Sequence, residues 1–345
     1  YDLAINNGAA FVVGPLLKEE VNAITPLVTN VPTLALNYAT EAEAFSPLLY
    51  QFALAPEDEA RSVARRAVAE GWVNAVALAP NNSWGQRVYA AFQDELNQLG
   101  GQVLEAQAYP TDSPDYSPAI MNALLLNESE ARHKRLAANL GKELEFEPRR
   151  RGDVDFIFMA ANAPTAKLIR PQLKFHYAGD VPTFTTSAAY IPGAQDNAEL
   201  NGMIFPDAPW LINPTAAIAD QQSALRELWG NNVDQRGRFF ALGYDAYQLT
   251  ALLNGRSGRF NLSLDGMTGT VAMDRDGLLH RDLDFARFKN GEPQLLAEPS
   301  ATSELPVAPV TMPGTTNPAD PFTPAQPQPD PQPRSPITII SPGAG

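Results

Sequence analysis

Short apolar runs alternate along much of the chain with longer stretches in which apolar residues recur every three or four positions. Runs such as AAFVVGP, VNAVALAP and DVDFIFMAA predict buried strands, because a strand covered on both faces needs no polar side. The stretch from Ala60 to Val68 has the apolar spacing of an amphipathic helix, and Gly71 can end it. This alternation predicts an α/β fold with parallel sheets flanked by helices.

Later segments depart from this simple alternation. FFALGYDAYQLTALLNG predicts a long helix, and the turn residues 274–277 (DRDG) predict a short hairpin. A helix ending near Leu126 is followed by a charged insertion at residues 127–152, too long for an ordinary loop. We interpret it as a helix plus an extended segment. Residues 298–345 are rich in proline and predict a mostly unstructured tail.

Composition and charge narrow the functional classes. The 345 residues, 44% of them hydrophobic, suffice for one large or two ordinary domains. A net charge of −14 disfavours nucleic acid as the main partner. The absence of cysteine excludes disulfides, thiolate metal sites and cysteine nucleophiles. No apolar run is long enough for a transmembrane helix.

Catalytic motifs are absent from the sequence. The three histidines, His133, His176 and His280, are far apart and show no metal-binding spacing. No G-x-S-x-G nucleophile elbow and no phosphate-binding G-x-x-x-x-G-K-[ST] loop is present. We therefore expect a protein that is not an enzyme and that has no cofactor and no metal site.

The order of the segments VVGP, PTLALN, YQFALAPEDEA, NSWGQRVYAAFQDELNQLGGQV, GYDAYQLTALL and GMTGTVAMDRDG resembles that of type I periplasmic binding proteins. More narrowly, SEARHKRLAANLGKELEFEPRRRGDVDFIFMAANAP followed by LNGMIFPDAPWL resembles the LppC/LpoA family of outer-membrane lipoproteins. The resemblance covers about residues 1–296. It implies two lobes that close over a cleft, with the first strand and helix of lobe 1 missing from this chain.

The resemblance also implies a domain division and a function. Lobe 1 would hold residues 1–54 and 213–280, and lobe 2 residues 55–212 and 281–297 with the insertion at 127–152. The family's members activate a bifunctional class A penicillin-binding protein, so we expect a non-catalytic regulator of peptidoglycan synthesis with that partner. It would lie at the periplasmic side of the outer membrane, with a lipid anchor upstream in the full-length protein.

Two other functional classes stay open. One is a solute-binding receptor of an ABC transporter that closes on a small polar ligand such as an amino acid. The other is a structural spacer, for which the proline-rich tail is the only support.

Ligands of open α/β sheets bind at the carboxyl ends of the strands, which selects candidate cleft residues. They are Gly14, Pro15, Leu16, Asn37, Tyr38, Asn82, Ser83, Trp84, Asn162, Thr186 and Ser187. Structural roles are the alternative: Gly14 and Pro15 could turn the chain, Asn82 and Ser83 could cap a helix, and Trp84 could belong to the core.

Two further features are candidates for facing a partner. Arg149, Arg150 and Arg151 precede the apolar FIFM segment in an acidic chain. They could pair with acids of the insertion or their neighbours, or they could form a patch for the synthase. Trp210, in DAPWLINP, could pack the crossing back to lobe 1 or serve as an exposed anchor for a protein.

Overall fold

The computed structural model describes residues 1–40, 46–193, 197–230, 232–254 and 262–299. Apart from its first two residues, the predicted tail lies outside this part of the chain. The strands are β1 (Val12–Val13), β2 (Thr33–Ala35), β3 (Leu49–Phe52), β4 (Asn74–Pro80), β5 (Gln102–Tyr109), β6 (Phe156–Met159), β7 (Thr183–Thr185), β8 (Ile204–Asp207), β9 (Ser263–Gly266), β10 (Gly269–Met273), β11 (Leu278–Asp282), β12 (Asp284–Lys289) and β13 (Glu292–Leu295).

The helices cover both faces of the sheets that these strands form. They are α1 (Asp2–Asn6), α2 (Lys18–Ile24), α3 (Pro56–Ala69), α4 (Ser83–Gln98), α5 (Ser117–Ala123), α6 (Leu126–Leu140), α7 (Ala163–Phe175), α8 (Pro209–Ile212), α9 (Ala216–Trp229), α10 (Asn232–Gln235) and α11 (Gly237–Leu253). None of the helices in the described ranges combines the length and apolar character that crossing a membrane requires.

Two mixed sheets organise the described chain. The first has the order β1-β2-β3-β11-β10-β9 and is parallel from β1 to β11. The second has the order β13-β12-β8-β7-β6-β4-β5 and is parallel from β8 to β5. We call the first sheet with its helices lobe 1 and the second with its helices lobe 2. The predicted two-lobed α/β fold class is confirmed.

Lobe 2 buries its sheet on both faces. In β6, Phe156 and Phe158 point to the cluster formed with α3 and α4, whereas Ile157 and Met159 point to the cluster formed with α5 and α7. Neighbouring β4 alternates in the same way, with alanines on the first face and Val76 and Leu78 on the second. The uninterrupted apolar run of FIFM therefore follows from its central position.

Lobe 1 has a smaller core that fixes α11. Leucines of α11 pack on one sheet face with Leu34, Phe52, Val271 and Leu279. On the other face, α2 contributes Val21 to a separate cluster. The predicted hairpin is confirmed, because β10 and β11 pair antiparallel around residues 274–277. Asp274 accepts hydrogen bonds from the backbone N–H groups of Asp276 and Leu278, which sets this turn.

Within the described residues the chain passes between the sheets after β3, after β8 and between β11 and β12. The last passage lies at Leu283, because β11 ends at Asp282 in the first sheet and β12 begins at Asp284 in the second. The predicted lobe boundary between residues 280 and 281 would therefore cut through β11. The other predicted limits of the two lobes stay predictions.

The insertion consists of a helix followed by a segment without regular structure, as the sequence predicts. The helix boundary differs from the expected one: α5 ends at Ala123, and Leu125 adopts a left-handed conformation with φ of 55° before α6 begins at Leu126. The leucine run therefore contains a sharp turn that its apolar character conceals.

Removing a ring from the core of lobe 2 tests this packing. Phe158 is fully buried and stacks on Phe92 with ring centroids 4.1 Å apart. We expect Phe158→Ala to lower the free energy of unfolding by about 3–5 kcal/mol, measured by chemical denaturation. The control Phe175→Ala removes a ring that is 78% exposed and should change it by less than about 0.5 kcal/mol. Equal losses would contradict the core assignment.

Candidate functional site

An arginine of lobe 1 bridges to the end of the lobe 2 sheet. Arg238, at the start of α11, donates from Nε to Asp207 Oδ1 at 2.9 Å and from Nη2 to Asp207 Oδ2 at 2.6 Å. Its Nη2 also donates to the carbonyl oxygens of Ser187 and Tyr190, at 3.1 and 3.2 Å. Asp207 is 2% exposed. This is a bidentate arginine–carboxylate pair, one of the strong types of charge-assisted hydrogen bonding. It fixes the orientation of α11 relative to β8.

A second buried carboxylate lies beside this pair. Glu59, in the first turn of α3, accepts hydrogen bonds from the backbone N–H and the hydroxyl of Ser187, both at 2.8 Å. Arg281 of β11 in lobe 1 brings Nη2 to 3.7 Å from Glu59 Oε1. Burial raises the pKa of Glu59, and the nearby Arg281 opposes that shift. Glu59 is therefore hydrogen-bonded within lobe 2 and ion-paired with lobe 1.

The third contact group surrounds Asp58. Its carboxylate lies 3.0 Å from Nδ1 of His280, 2.8 Å from Nη1 of Arg61 and 3.1 Å from the hydroxyl of Tyr38. The other ring nitrogen of His280, Nε2, lies 3.1 Å from Asp274 Oδ2. Carboxylates at both ring nitrogens favour the imidazolium form, in which both nitrogens donate.

The contact between His280 of lobe 1 and Asp58 of lobe 2 shifts the pKa values of both side chains. The hydrogen bond to Asp58 raises the pKa of His280, although partial burial opposes the shift. Burial acts to raise the pKa of Asp58, but the hydrogen bond and charge of His280 outweigh it, so that pKa is lowered. Burial also raises the pKa of Tyr38 well above its ordinary value, so its hydroxyl stays protonated.

These contacts define what the interlobe region can do chemically. We call Arg238 with Asp207, and Glu59 with Ser187 and Arg281, the interlobe bridge. Both carboxylates of the bridge are engaged by donors of the chain itself, so the arrangement holds the lobes together. Across the part of the chain that the structure describes, no group of three or more His, Cys, Asp or Glu side chains is placed to hold a metal ion.

Two predicted cleft residues lie at this bridge, and a third contacts Asp58, the neighbour of Glu59 in the sequence. Ser187 is part of it, Thr186 is fully buried next to it, and Tyr38 contacts Asp58. Asn37 donates to the carbonyl oxygen of Leu16 at 3.0 Å and accepts from the N–H of Tyr38 at 2.9 Å, so it shapes the loop after β2.

Others occupy positions with an evident structural role. Asn82 caps α4 by accepting from the N–H of Gly85 at 2.8 Å, and Asn162 caps α7 by accepting from Thr165 at 3.0 Å. Trp84 packs, partly buried, against the α3–α4 side of the lobe 2 core, and Ser83 is exposed. A ligand-binding role for these residues stays a prediction.

Gly14, Pro15 and Leu16 lie at the outer edge of lobe 1. Gly14 has φ of 105°, donates to Leu34 and is joined to Pro15 by a cis peptide bond. Gly14 and Pro15 line a mainly apolar cavity of about 450 Å³ with β1 and α2. None of the residues of the interlobe bridge lines this cavity.

The three arginines of the insertion have different surroundings. Arg151 pairs with Asp153 through two contacts of 2.8 and 3.0 Å, and Arg150 pairs with Asp180 at 2.7 Å. The side-chain hydrogen bond to Arg151 lowers the pKa of Asp153. Arg149 has an exposed side chain, and its backbone N–H donates to Ser129 Oγ. The pairing acids are therefore Asp153 and Asp180, which flank β6 and β7, not the glutamates of the insertion.

Trp210 is 3% exposed and packs with Ile218, Ala241 and Met267 where the chain returns to lobe 1. A side chain on Gly237 would come within 2.9 Å of the indole, which explains the glycine at the start of α11. The hypothesis of an exposed anchor at Trp210 is wrong, because its ring has no free surface to offer.

Sequence reasoning missed most of the interlobe bridge. The one local signal was the acidic first turn of α3, Glu57-Asp58-Glu59, which suits the positive end of the helix dipole. Asp207 lies in the DAPW segment, where nothing marked it as a buried carboxylate, and Arg238 and Arg281 stand in segments without any motif. Helix α9 was also missed, although Thr215 accepts a hydrogen bond from Ile218 N–H as its cap.

Comparison with known proteins identifies relatives of this sequence. The family model described as LppC putative lipoprotein matches residues 1–291. "Penicillin-binding protein activator LpoA" of Photobacterium profundum is 31% identical over 286 residues, which are 82% of this chain and 46% of that protein. The protein of the same name from Vibrio cholerae is 28% identical over 80% of this chain and 46% of its own length. The chain spans about half the length of the curated relatives it matches.

Solved structures share the fold. The C-domain of LpoA from Haemophilus influenzae, described as a regulator of PBP1A, is 22% identical with a TM-score of 0.65, covering 86% of this chain and 85% of that one. A putative branched-chain amino acid ABC transporter protein from Chromobacterium violaceum is 27% identical with a TM-score of 0.60, covering 84% and 83%. The predicted likeness to type I periplasmic binding proteins is thereby confirmed.

Breaking the interlobe bridge should destabilise the protein. Arg238→Ala leaves Asp207 buried without its cation, and we expect a loss of about 3 kcal/mol in the free energy of unfolding, measured by urea denaturation. The control Arg226→Ala removes a pair with Asp234 in which both side chains are more than 40% exposed and should cost less than about 1 kcal/mol. A loss for Arg238→Ala no larger than the control's would show that the pair does not hold the lobes.

The pKa values of His280 and His176 should lie on opposite sides of the ordinary histidine value of 6.5. We expect the pKa of His280 above it, because of Asp58, and the pKa of His176 below it, because of burial. Histidine-ring NMR measures both, with His→Gln variants for assignment. The stabilisation by His280 is complete below pH 6.5 and is lost as the pH rises through its raised pKa. A His280 pKa at or below that of His176 would contradict the paired geometry.

Proposed function

The chain belongs to the LppC family of putative lipoproteins, and we propose that it is a non-catalytic periplasmic regulator that binds a class A penicillin-binding protein and stimulates peptidoglycan synthesis. Support comes from relatives named as activators, which match 80–82% of this chain at 28–31% identity. We also propose that the full-length protein is lipid-anchored at the periplasmic side of the outer membrane, in keeping with the family's description as lipoproteins.

The interlobe bridge is the structural observation that carries this proposal over the solute receptor. A receptor needs free donors at the strand ends to receive a ligand's charged groups. Here the N–H and hydroxyl of Ser187 donate to Glu59, and Arg238 is committed to Asp207. These charged and backbone donors are therefore already engaged by carboxylates of the chain itself. We infer that this protein recognises its partner through its outer surface and not through the region between its lobes.

We propose that the insertion supplies that surface. Leu136, Leu140 and Phe146 are 53%, 55% and 38% exposed, and the ring of Phe146 stacks on His133 at 4.2 Å. Basic side chains outnumber acidic ones in residues 127–152, although the whole chain is acidic. Of the arginine triplet, Arg149 is the exposed member that can contact a partner directly. Apolar anchors rimmed by charge are the usual composition of a protein interface.

Stimulation then requires a difference in binding between states of the enzyme. A regulator shifts its target only to the extent that it binds the active conformation more tightly. A contact surface on a rigid lobe loses little conformational entropy when it binds. More of the binding free energy is then available to favour the active conformation of the enzyme.

Replacing the exposed leucines of α6 tests the proposed interface. We expect Leu136→Ser combined with Leu140→Ser to weaken binding to a purified class A penicillin-binding protein by about tenfold or more and to reduce its stimulation. Because both side chains are exposed, circular dichroism and unfolding should not change. The matched control is Leu17→Ser with Leu27→Ser, which are 58% and 49% exposed in lobe 1 and should bind normally. Normal binding by the α6 variant would refute the interface.

The receptor hypothesis makes an opposite prediction about small molecules. A receptor would gain about 2.7 kcal/mol of stability at a hundredfold excess of ligand over its dissociation constant. Thermal unfolding with a panel of free amino acids should show no such gain for this protein. A stabilising amino acid, together with unaltered synthase activity, would favour the receptor.

A further inference from the structure

Strand β5 forms an open edge of the lobe 2 sheet. It is the last strand in the order β13-β12-β8-β7-β6-β4-β5, and its 8 residues make it the longest strand that the structure describes. Its pairing with β4 is irregular at Leu104 and regular from Glu105 to Tyr109. Residues 46–193 are described without a gap, so this edge is not produced by an interruption of the described chain. An edge strand carries unpaired backbone groups with which a strand of another molecule can pair.

The hydrogen bonds to β4 show which backbone groups lie on the open side of β5. The carbonyl oxygen of Tyr109 accepts from the N–H of Asn81 at 2.9 Å, so the backbone groups of Tyr109 face β4. Successive residues of a strand direct these groups to opposite sides, so those of Ala106 and Ala108 face away from β4. Both alanines are half-buried, and none of the described residues is hydrogen-bonded to their N–H or C=O groups.

The opposite edge of the same sheet is blocked. The N–H of Leu296 donates to the carbonyl oxygen of Phe285 at 2.7 Å, so in β13 the outward positions are Leu295 and Pro293. Proline has no N–H, and proline on an edge strand protects it against pairing with other molecules. Strand β5 contains no proline, and Glu105 is its only charged residue. Of the two edges of this sheet, β5 is therefore the one that can accept a further strand.

The insertion lies next to the open edge. Leu104 of β5 packs against the cluster that contains Leu124 and Leu126, which flank the turn between α5 and α6. The N–H of Arg151, near the end of the insertion, donates to the carbonyl oxygen of Leu124 at 3.0 Å. A partner bound to the insertion is therefore placed beside the outward groups of β5.

We propose that β5 is the docking site for an extended segment of the synthase, which adds to the lobe 2 sheet beside β5. This inference rests on the proposed function and specifies how the partner is held. The added strand pairs with the N–H and C=O groups of Ala106 and Ala108. The synthase segment is therefore free of proline at the paired positions and carries a basic side chain near Glu105.

A second copy of the chain is a poorer occupant of this edge. Each chain carries a net charge of −14, so two copies repel one another. Pairing of β5 with its own copy would also place two Glu105 side chains in one short ladder. A basic segment of a different protein meets neither penalty.

Amide hydrogen exchange tests the pairing directly. In the free chain, the amides of Glu105 and Gln107 should be protected by β4, whereas those of Ala106 and Ala108 should exchange rapidly. With a purified class A penicillin-binding protein bound, exchange at both alanines should slow by about tenfold or more. Exchange takes place in the complex and is read by NMR on the released chain. Unchanged exchange at both alanines in the bound chain would overturn the proposal.

A proline variant tests the same contact through affinity. Ala106→Pro removes an outward N–H and keeps the ladder with β4, because an edge strand tolerates proline where its N–H faces solvent. We expect unchanged circular dichroism and synthase binding weakened by about tenfold or more. The matched control is Leu295→Pro, which removes an outward N–H from the β13 edge and should bind normally. If Ala106→Pro does not fold, the exchange pattern of the unaltered chain decides.

The outcomes separate this inference from the proposed function. An unaltered chain that binds the synthase, with a folded Ala106→Pro variant that binds equally well, would overturn the strand addition alone. An unaltered chain that binds no synthase would overturn both. Protection of Ala106 and Ala108 in the free chain that rises with its concentration would assign the edge to a second copy and refute the synthase as its occupant.

Discussion

The carboxylates of Glu59 and Asp207 are buried where the lobes meet, and a buried carboxylate is tolerated only with compensating donors. Those donors come from separate parts of the chain: Ser187 follows β7, Arg238 begins α11, and Arg281 belongs to β11. Asp207 is paired with Arg238, and Glu59 is held by Ser187 and faces Arg281, so each carboxylate has a cation from lobe 1 beside it. The relative position of the lobes is therefore fixed by electrostatics that neither lobe can satisfy alone.

The hydrophobic pattern predicted the parts of the fold that depend on local sequence. The strand FIFM, the 274–277 turn and the helix of the insertion follow from periodicity, turn chemistry and charge. Helix capping by Asn82 and Asn162 was also within reach, because the cap residue precedes its helix directly. Periodicity gave no warning of the left-handed Leu125, because an apolar residue in that conformation is rare and shows no sequence signal.

The interlobe bridge could not be predicted in this way, because its partners are far apart in sequence. Glu59 and Arg281 are separated by 222 positions, and Arg238 and Asp207 by 31. Arg151 shows the contrast: its partner Asp153 is two residues away and was foreseeable, whereas the Asp180 partner of Arg150 became visible only through the fold. Charge pairs between distant segments are a property of topology, and no composition or spacing rule reports them.

The same bridge links the fold to the proposed role. When a cleft closes on a solute, the free energy of closure comes from the solute, and the lobes separate without it. Here the chain supplies both the cations and the carboxylates, so this arrangement of the lobes needs no ligand to stabilise it. Surfaces on different lobes, such as α6 with its exposed leucines and α11 with its exposed aromatic side chains, are then held in one relative position. A regulator that must favour one conformation of a large enzyme gains from such rigidity, because contacts that cannot adjust discriminate between target shapes more strongly than contacts that can.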